Sequence, residues 1–237
     1  MTDAKRETLE EPTPAAAKKR GVRAGRRARG EQTRRKILQA TLEVIAREGI
    51  RGATHRAVAT QAGVNLSLTT YYFRDIEEMI KEAFQQFCER MRPDIEALWR
   101  DIFSYLDGFS RAALRRAAVR EAIAERLARA ASDYIYVQIT RKPVGLVVEQ
   151  IFFTEARLSP ELRKMGAEHR AQLLAPMITL SSYFNQRDPQ IDAELLLDII
   201  TALEYQGVSM SSKEVDRQHI YTLAHRQIGW LLGVRRA

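Results

Sequence analysis

Residues 65–72 form a short segment rich in hydrogen-bonding side chains, namely Asn65, Ser67, Thr69, Thr70, Tyr71 and Tyr72. Hydroxyl, amide and phenol groups of this kind can bind phosphate oxygens and the edges of bases. Three arginines, Arg51, Arg56 and Arg74, lie close by in the sequence and could neutralise a polyanion. The residue types and their spacing therefore indicate recognition of nucleic acid.

The elements that must position this segment are three helices with short connections. A stripe of apolar residues at spacings of three and four predicts a first helix over 33–49. Two short helices are predicted over 54–62 and 65–72, each preceded or begun by a polar N-cap residue. Gly63 between them can adopt the positive φ that a tight turn needs. Such an arrangement is typical of a helix-turn-helix.

The stretch from Gly52 to Asp75 resembles the signature of TetR-family regulators. A Thr cap, an Ala-Gly-Val turn, a Tyr-Phe pair and a following capped helix all occur at that family's spacing. The resemblance extends back to Gln32 and forward to about Phe84. It implies a homodimer that represses transcription from a palindromic operator on double-stranded DNA and leaves the operator when a small molecule binds.

The resemblance also assigns roles to individual side chains. Thr54 and Tyr72 would hold phosphates, and Arg56 would reach a phosphate or a base edge. The residues expected to face DNA are Thr54, Arg56, Asn65, Ser67, Thr69, Thr70, Tyr71 and Tyr72. The position of Thr69 stays open, because Leu68-Thr69 inverts the family's usual order and either residue could face the core.

The net charge of +8 is concentrated at one end of the chain. Residues 1–30 hold nine Lys/Arg against four Asp/Glu, and residues 31–74 hold seven against three. Residues 75–237 hold twenty-two against twenty-three and are therefore almost neutral. A cationic front end on a neutral body fits a polyanion met at one end of the molecule, and this indication is independent of the helix-turn-helix pattern.

Residues 1–30 are expected to form a disordered basic tail, because they hold too few apolar side chains to offset chain entropy. Four arginines, Arg23, Arg26, Arg27 and Arg29, precede the first helix. They could lie along phosphates or enter an adjacent minor groove, as arginine-rich arms do. A purely solubilising tail is the alternative.

Beyond residue 75 almost every segment reads as helix, so the expected fold class is all-α. We expect a helix-turn-helix domain over 31–74, which we call the head, and a helical ligand-binding and dimerisation domain over 75–237, the body. No apolar run is long enough to span a bilayer. The single cysteine, Cys88, rules out an intrachain disulfide, and a reducing cytoplasm is the expected compartment.

The last two helices are predicted to join two copies of the chain. Residues 195–203 are apolar on more than one face, which is more than an ordinary surface helix needs. Two such helices packed against their two-fold copies make a four-helix interface. The residues expected there are Leu196, Ile199, Ile200, Leu203, Ile220, Leu223, Ile228 and Leu231. The alternative is that both helices are internal core.

The helices between residues 99 and 177 are expected to enclose a cavity for a small organic effector, neutral or amphipathic, and no metal or cofactor is expected. Such sites are mostly apolar with a few placed polar groups. The expected lining residues are Trp99, Phe103, Phe109, Tyr134, Gln138, Glu149, Gln150, Phe152, Phe153, His169 and Met177. For each of them, ordinary core or a solvated helix face is the alternative.

Two other classes of function compete with a regulator. An enzyme finds little support, because the sequence has no Gly-rich phosphate loop, no His-Glu-x-x-His and no Gly-x-Ser-x-Gly elbow. A helical adaptor, which would bind another protein through the apolar C-terminal helices, would form dimers but would not bind DNA. Within the head, Tyr71 and Tyr72 could instead be core aromatics, and Arg56 could be a solvated charge.

Overall fold

The structure, a computed structural model, describes residues 14–155, 159–211 and 213–234. Over these residues the chain is all-α, as predicted, with nine α-helices, one short 3₁₀ helix at Ala113–Arg115 and no strand. The α-helices are α1 Pro14–Gly52, α2 His55–Ala62, α3 Leu66–Tyr72, α4 Ile76–Asp107, α5 Ala117–Arg141, α6 Pro143–Thr154, α7 Pro160–Ser182, α8 Pro189–Val208 and α9 Arg217–Leu231.

Helix α1 begins earlier than the sequence predicts. Residues 14–30, expected to be disordered, continue the helix towards the N-terminus, and residues 1–13 lie outside the described residues. The extension is rich in alanine, arginine and lysine, which favour helix, and elongating an existing helix avoids the cost of nucleation. Regular helix stops at Gly49, where φ is 73°, and the chain reaches Gly52 in one further turn.

The core of the head is built on the apolar stripe of α1. Ile37, Leu38 and Ile45 are fully buried, and Phe73, directly after α3, folds back into the same cluster. The Arg34 guanidinium lies 5.3 Å from the centre of the Phe73 ring and forms an ion pair with Glu82 of α4. The end of α3 is therefore held against both α1 and α4.

Helix α4 belongs to both the head and the body. It begins at Asp75, whose carboxylate accepts a hydrogen bond from the Glu78 backbone at 2.8 Å, and it runs without a break to Asp107. The Phe84 ring of α4 stacks on Phe152 of α6, with ring centres 3.6 Å apart. Head and body thus share one hydrophobic cluster, without a linker between them.

The body packs α5 to α9 around two further apolar clusters. The most extensive contacts within the body are those of α5 with α9 and of α7 with α8. Helix α6 packs against α5, α7 and α8 and also against α1. Gly166 of α7 is required by a close crossing, because a Cβ there would lie 2.7 Å from the Phe152 carbonyl oxygen. Within the described ranges, no helix is both long and apolar enough to cross a bilayer.

Candidate nucleic-acid interface and body cavity

The connection between α2 and α3 is a tight turn fixed by backbone hydrogen bonds. Thr54 caps α2, and its hydroxyl oxygen accepts from the Ala57 backbone at 3.1 Å. Gly63 has φ 59°, in the left-handed region that glycine adopts readily, and its N–H donates to the Thr60 carbonyl. The Val64 N–H donates to the Ala59 carbonyl at 3.0 Å. These bonds set the angle at which α3 leaves α2.

Of the two adjacent residues Leu68 and Thr69, Thr69 lies on the buried inner face of α3. Thr69 is fully buried, and its hydroxyl donates to the Leu66 carbonyl at 2.8 Å. The same oxygen lies 3.1 Å from Nδ1 of His55, from which it can accept. The prediction that Thr69 faces DNA is therefore wrong, because its side chain ties α3 to α2. Leu68 is half-buried against the same core.

The outer face of α3 consists of residues that fill no core position. Ser67 and Thr70 are exposed, and Tyr71 is 79% exposed, so Tyr71 is not a core aromatic. Asn65 occupies the N-cap position of α3 and is exposed, but its side chain makes no capping hydrogen bond. The Asn65 amide is therefore available to an external partner.

Tyr72 lies at the edge of this outer face. It is half-buried, its ring packs edge-on against Tyr71 at 5.1 Å, and its hydroxyl reaches α1. A methyl group at Gly30 would lie 3.4 Å from the Tyr72 oxygen. The phenol therefore lies where α1 and α3 meet, with its ring supported by the head and its hydroxyl beside the basic end of α1.

Several cations of the head and of the part of α1 that precedes it have no carboxylate partner among the described residues. Ion pairs with carboxylates are made by Arg34, Arg47 and Arg74. The exposed cations that make no such ion pair within the described ranges are Arg27, Arg29, Arg35, Lys36, Arg51 and Arg56. The side chains of Arg23 and Arg26 lie outside the described residues. A polar, exposed helix beside unpaired cations suits contacts with bases and phosphates together.

A short, exposed third helix on a tight turn, carried by a cationic three-helix head, defines a helix-turn-helix DNA-binding protein. Residues 37–83 match the family model described as bacterial regulatory proteins, tetR family. Over this segment, about a fifth of the chain, the sequence is similar to the TetR family of transcriptional regulators.

Solved structures of transcriptional regulators match more than four-fifths of the chain. A transcriptional regulator from Rhodococcus sp. Rha1 has a TM-score of 0.62 and 18% identity, covering 86% of this chain and 99% of its own. A regulator from Streptomyces coelicolor A3(2) has a TM-score of 0.52 and 27% identity, covering 83% of this chain and 98% of its own. A regulator from Saccharomonospora viridis, in complex with choline, has a TM-score of 0.53 and 16% identity, covering 83% of this chain and 95% of its own. No curated protein sequence matches the chain.

The body encloses a cavity of about 90 Å³ between α4, α5, α6, α7, α8 and α9. Of the residues expected to line it, Trp99, Tyr134, Glu149 and Met177 do so. The wall also holds three residues expected at the dimer interface and two polar residues that the sequence did not indicate: Leu196, Ile200, Ile228, Thr201 and Glu204. The cavity is thus built partly from the helices expected to join two chains.

The other expected lining residues lie elsewhere, and those predictions are wrong for this cavity. Phe152, Phe153 and His169 form an aromatic cluster with Phe84 and Phe87, beside the cavity. Phe103 lies with His169 in an open groove of about 790 Å³ between α4 and α7, and Phe109 packs edge-on against Tyr105. Gln138 is buried and Gln150 half-buried outside the wall.

Glu149 is held by two hydrogen-bonding partners. One carboxylate oxygen lies 2.8 Å from Nε2 of His169, and both side chains are buried. The Tyr205 hydroxyl donates to the other oxygen at 3.3 Å. Burial, together with the charge of Glu149, raises the pKa of Tyr205 and keeps it a donor. Glu149 thus links the cavity to His169, which packs edge-on against Phe84 at 5.6 Å.

Glu204 is the polar residue of the wall without such partners. It is 4% exposed, and its carboxyl group makes no hydrogen bond with any described residue. Burial, and then the charge of Glu149, raises the pKa of Glu204 well above its usual value. The group is therefore neutral under conditions in which an exposed glutamate is ionised.

The surroundings of Cys88 disfavour the thiolate, which is its nucleophilic form. Its side chain is half-buried on α4, and burial, reinforced by the charge of Glu149, raises the pKa of the thiol to about 12. The thiolate is the reactive form, so the thiol is inert at neutral pH.

The residues expected at the dimer interface are mostly core of the single chain. Five of them, Leu196, Leu203, Ile220, Ile228 and Leu231, are buried against other helices of the same chain, which corrects the prediction for them. Ile199, Ile200 and Leu223 are half-buried. The large exposed apolar side chains of α8 and α9 are instead Ile191, Leu195 and Trp230.

Proposed function

We propose that the protein is a homodimeric transcriptional repressor that binds a palindromic operator and is released by a small organic effector. The observation that carries the proposal is the exposed polar face of α3 beside cations without ion pairs. The head, residues 31–74, binds DNA, and the body, residues 75–237, binds the effector and the second copy. Because its partner is DNA, we place the protein in the cytoplasm.

On DNA, the outer face of α3 enters the major groove. Ser67, Thr70 and Tyr71 face base edges, since they are exposed and on the side of α3 away from Thr69. Phosphates on either side are bound by residues at the ends of the helices: Thr54, Arg56, Asn65 and Tyr72. The Thr54 hydroxyl oxygen accepts from Ala57 as a cap, which leaves its proton free to donate to a phosphate.

Replacing Arg56 by alanine tests the electrostatic part of this proposal. Each phosphate contact contributes about 0.9 to the slope of log affinity against log salt concentration. A dimer carries two copies of Arg56, so the slope should become shallower by about two units. The measurement is fluorescence anisotropy with a duplex from the protein's own promoter at several salt concentrations.

The matched control is Arg111→Ala, an exposed arginine beyond the far end of α4 from the head. This change should leave the slope unaltered. An unaltered slope for Arg56→Ala as well would mean that Arg56 is a solvated charge and would remove it from the interface.

We propose that two copies meet through the exposed apolar side of α8 and α9. Ile191 and Leu195 are one helical turn apart on α8 and are 58% and 54% exposed, and Trp230 of α9 is also exposed. The half-buried Ile199 and Leu223, which the sequence predicts at the interface, can contribute at its edge. Contiguous exposed apolar side chains, rather than single ones, mark an interaction site, and Ile191 and Leu195 are neighbours on one face of α8.

A double variant, Ile191→Asp with Leu195→Asp, should shift the protein from dimer to monomer, because each carboxylate would be buried without a partner at the two-fold interface. Sedimentation velocity at one fixed protein concentration measures this. Val144→Asp, an exposed apolar residue at the start of α6, is the control and should leave the dimer intact. A double variant that remains fully dimeric would place the interface elsewhere.

The effector acts, in this proposal, through the shared helix α4. The cavity contacts Glu149, Glu149 binds His169, and His169 packs on Phe84 and Phe87 of α4. A ligand that changes this packing would change the spacing of the two heads and favour one state of the dimer over the other. The choline complex of the Saccharomonospora viridis regulator, which has the same fold, supports binding of a small organic molecule.

A further inference from the structure

The cavity of the body is lined by acidic side chains but by no basic ones. Most of its wall is aliphatic, with the aromatic rings of Trp99 and Tyr134, and it includes two carboxyl groups, those of Glu149 and Glu204. None of its lining residues is lysine, arginine or histidine. A charged group inside this space would therefore be favoured only if it were positive.

The two carboxyl groups differ in their hydrogen-bonding partners. Glu149 has the His169 ring and the Tyr205 hydroxyl as partners. Glu204 has no hydrogen-bonding partner among the described residues, although it is almost wholly buried. Among the described residues, the fully buried side-chain oxygen or nitrogen without a partner is Ser181 Oγ, so the Glu204 oxygens keep contact with the cavity and are open to a group bound there.

We propose that the cavity binds a small organic monocation, a quaternary ammonium or protonated amine, with the carboxylate of Glu204 as its counter-ion. The proposal rests on the ligand-sensing function proposed above and names the chemical class of the effector. It replaces the neutral or amphipathic molecule that the sequence alone indicated.

The rest of the wall fits a cation with apolar substituents. An ammonium over the Trp99 or Tyr134 ring gains a cation–π interaction, which is stronger in a site without water. Methyl and methylene groups would contact Leu146, Leu197 and Ile200. At about 90 Å³ the cavity is smaller than a pocket for a drug-sized ligand, so small ammonium ions fit it as it stands and larger ones must widen it.

Binding of a cation would be coupled to loss of a proton from Glu204. Burial raises the pKa of Glu204, so without ligand the group stays protonated at pH values where an exposed glutamate is ionised. When the cation enters, the O–H bond breaks, the proton goes to solvent, and the carboxylate pairs with the cation. The groups that face Glu204 are Glu149 of α6, itself bonded to His169 of α7, Tyr134 of α5 and Tyr205 of α8.

The direction of the pH effect follows from this coupling. Below the pKa of Glu204 in the free protein, each unit rise in pH should strengthen cation binding by up to tenfold. Above that pKa the affinity should level off. Quaternary ions have no titrating proton of their own, so a pH effect seen with them belongs to the protein.

Isothermal titration calorimetry on the whole chain without DNA tests the proposal. The probes are choline, benzyltrimethylammonium and 3,3-dimethylbutan-1-ol, the last being an analogue of choline with carbon in place of the charged nitrogen. We expect at least one ammonium ion to bind, at least tenfold more tightly than the neutral alcohol. Titration in two buffers of different ionisation enthalpy should show release of up to one proton.

The variant Glu204→Gln should weaken ammonium binding at least tenfold and abolish the proton release, while Glu194→Gln on the same helix should leave both unchanged. The comparison of charged and neutral probes needs no variant, so it holds even if Glu204→Gln fails to fold. Equal binding of the alcohol, an unaffected Glu204→Gln, or no binding of either ammonium ion overturns the proposal. Operator binding is measured separately, so failure of the DNA-binding function would be seen independently.

Discussion

Replacing Tyr71 by alanine is expected to weaken operator binding at least thirtyfold while leaving the free energy of unfolding unchanged. Tyr71 is 79% exposed and contributes nothing to the core, so its loss removes a contact with DNA and little else. A good side-chain contact with a base is worth about 1–3 kcal/mol, and the proposed dimer would lose two of them. About 2 kcal/mol already corresponds to thirtyfold in affinity.

Fluorescence anisotropy at one salt concentration measures the affinity, and chemical denaturation measures the stability. The variant Tyr71→Phe separates the hydroxyl from the ring, since it keeps the edge-on packing against Tyr72. Thr179→Ala, at an exposed position on α7, is the control and should change neither quantity. Wild-type affinity for Tyr71→Ala would show that α3 does not read the bases through this residue.

Replacing Phe84 by alanine is expected to cost about 3–5 kcal/mol of stability, the usual cost of removing a fully buried phenylalanine. Phe84 is 1% exposed, stacks on Phe152 with ring centres 3.6 Å apart, and meets His169 edge-on. The cavity left by the change would lie where α4, α6 and α7 meet. Denaturation must be compared at one protein concentration, because the stability of the proposed dimer would depend on it.

The neighbouring exposed residue offers a matched control. Gln85→Ala lies on the same helix and should change stability by less than about 0.5 kcal/mol, as surface substitutions usually do. A cost below about 1 kcal/mol for Phe84→Ala would mean that the aromatic cluster does not hold head and body together. The proposed path from the cavity to the head would then lose its physical basis.

The head could be predicted from the sequence because its determinants are local. The Thr54 cap and the Gly63 turn each depend on a few adjacent residues, and the structure has both. Thr69 could not be placed in this way. Helix α3 has only seven residues, too few for a periodic pattern to say which of two adjacent residues turns inward. His55, fourteen positions earlier, decides the matter through a contact in three dimensions.

The body was harder to predict because composition does not say which face of an apolar helix is covered. Helix α8 is apolar on several sides: Leu196 faces the cavity, Leu203 faces the core and Leu195 faces outward. The sequence assigned the first two to a second copy of the chain. A signal for Glu204 was present, since an acidic residue directly follows this apolar stretch, but only the structure places it beside Glu149.

The basic segment before the head shows a third kind of difference. Its low apolar content predicts disorder, yet residues 14–30 extend α1 as helix. Low hydrophobicity excludes a packed core but does not exclude a helix that grows from a packed neighbour. Arg27 and Arg29 are therefore carried on a helix that continues from the head, with the Tyr72 hydroxyl beside Gly30.

Selection of bound sequences from a random pool of duplex DNA tests the central claim most directly, because the operator sequence need not be known beforehand. Two heads that each present α3 to a major groove should enrich a palindrome whose half-sites are about one helical turn apart, or a multiple of it. Substitution of Tyr71 should abolish the enrichment. If the wild-type protein enriched no sequence even at low ionic strength, the assignment of α3 as a recognition helix would be contradicted.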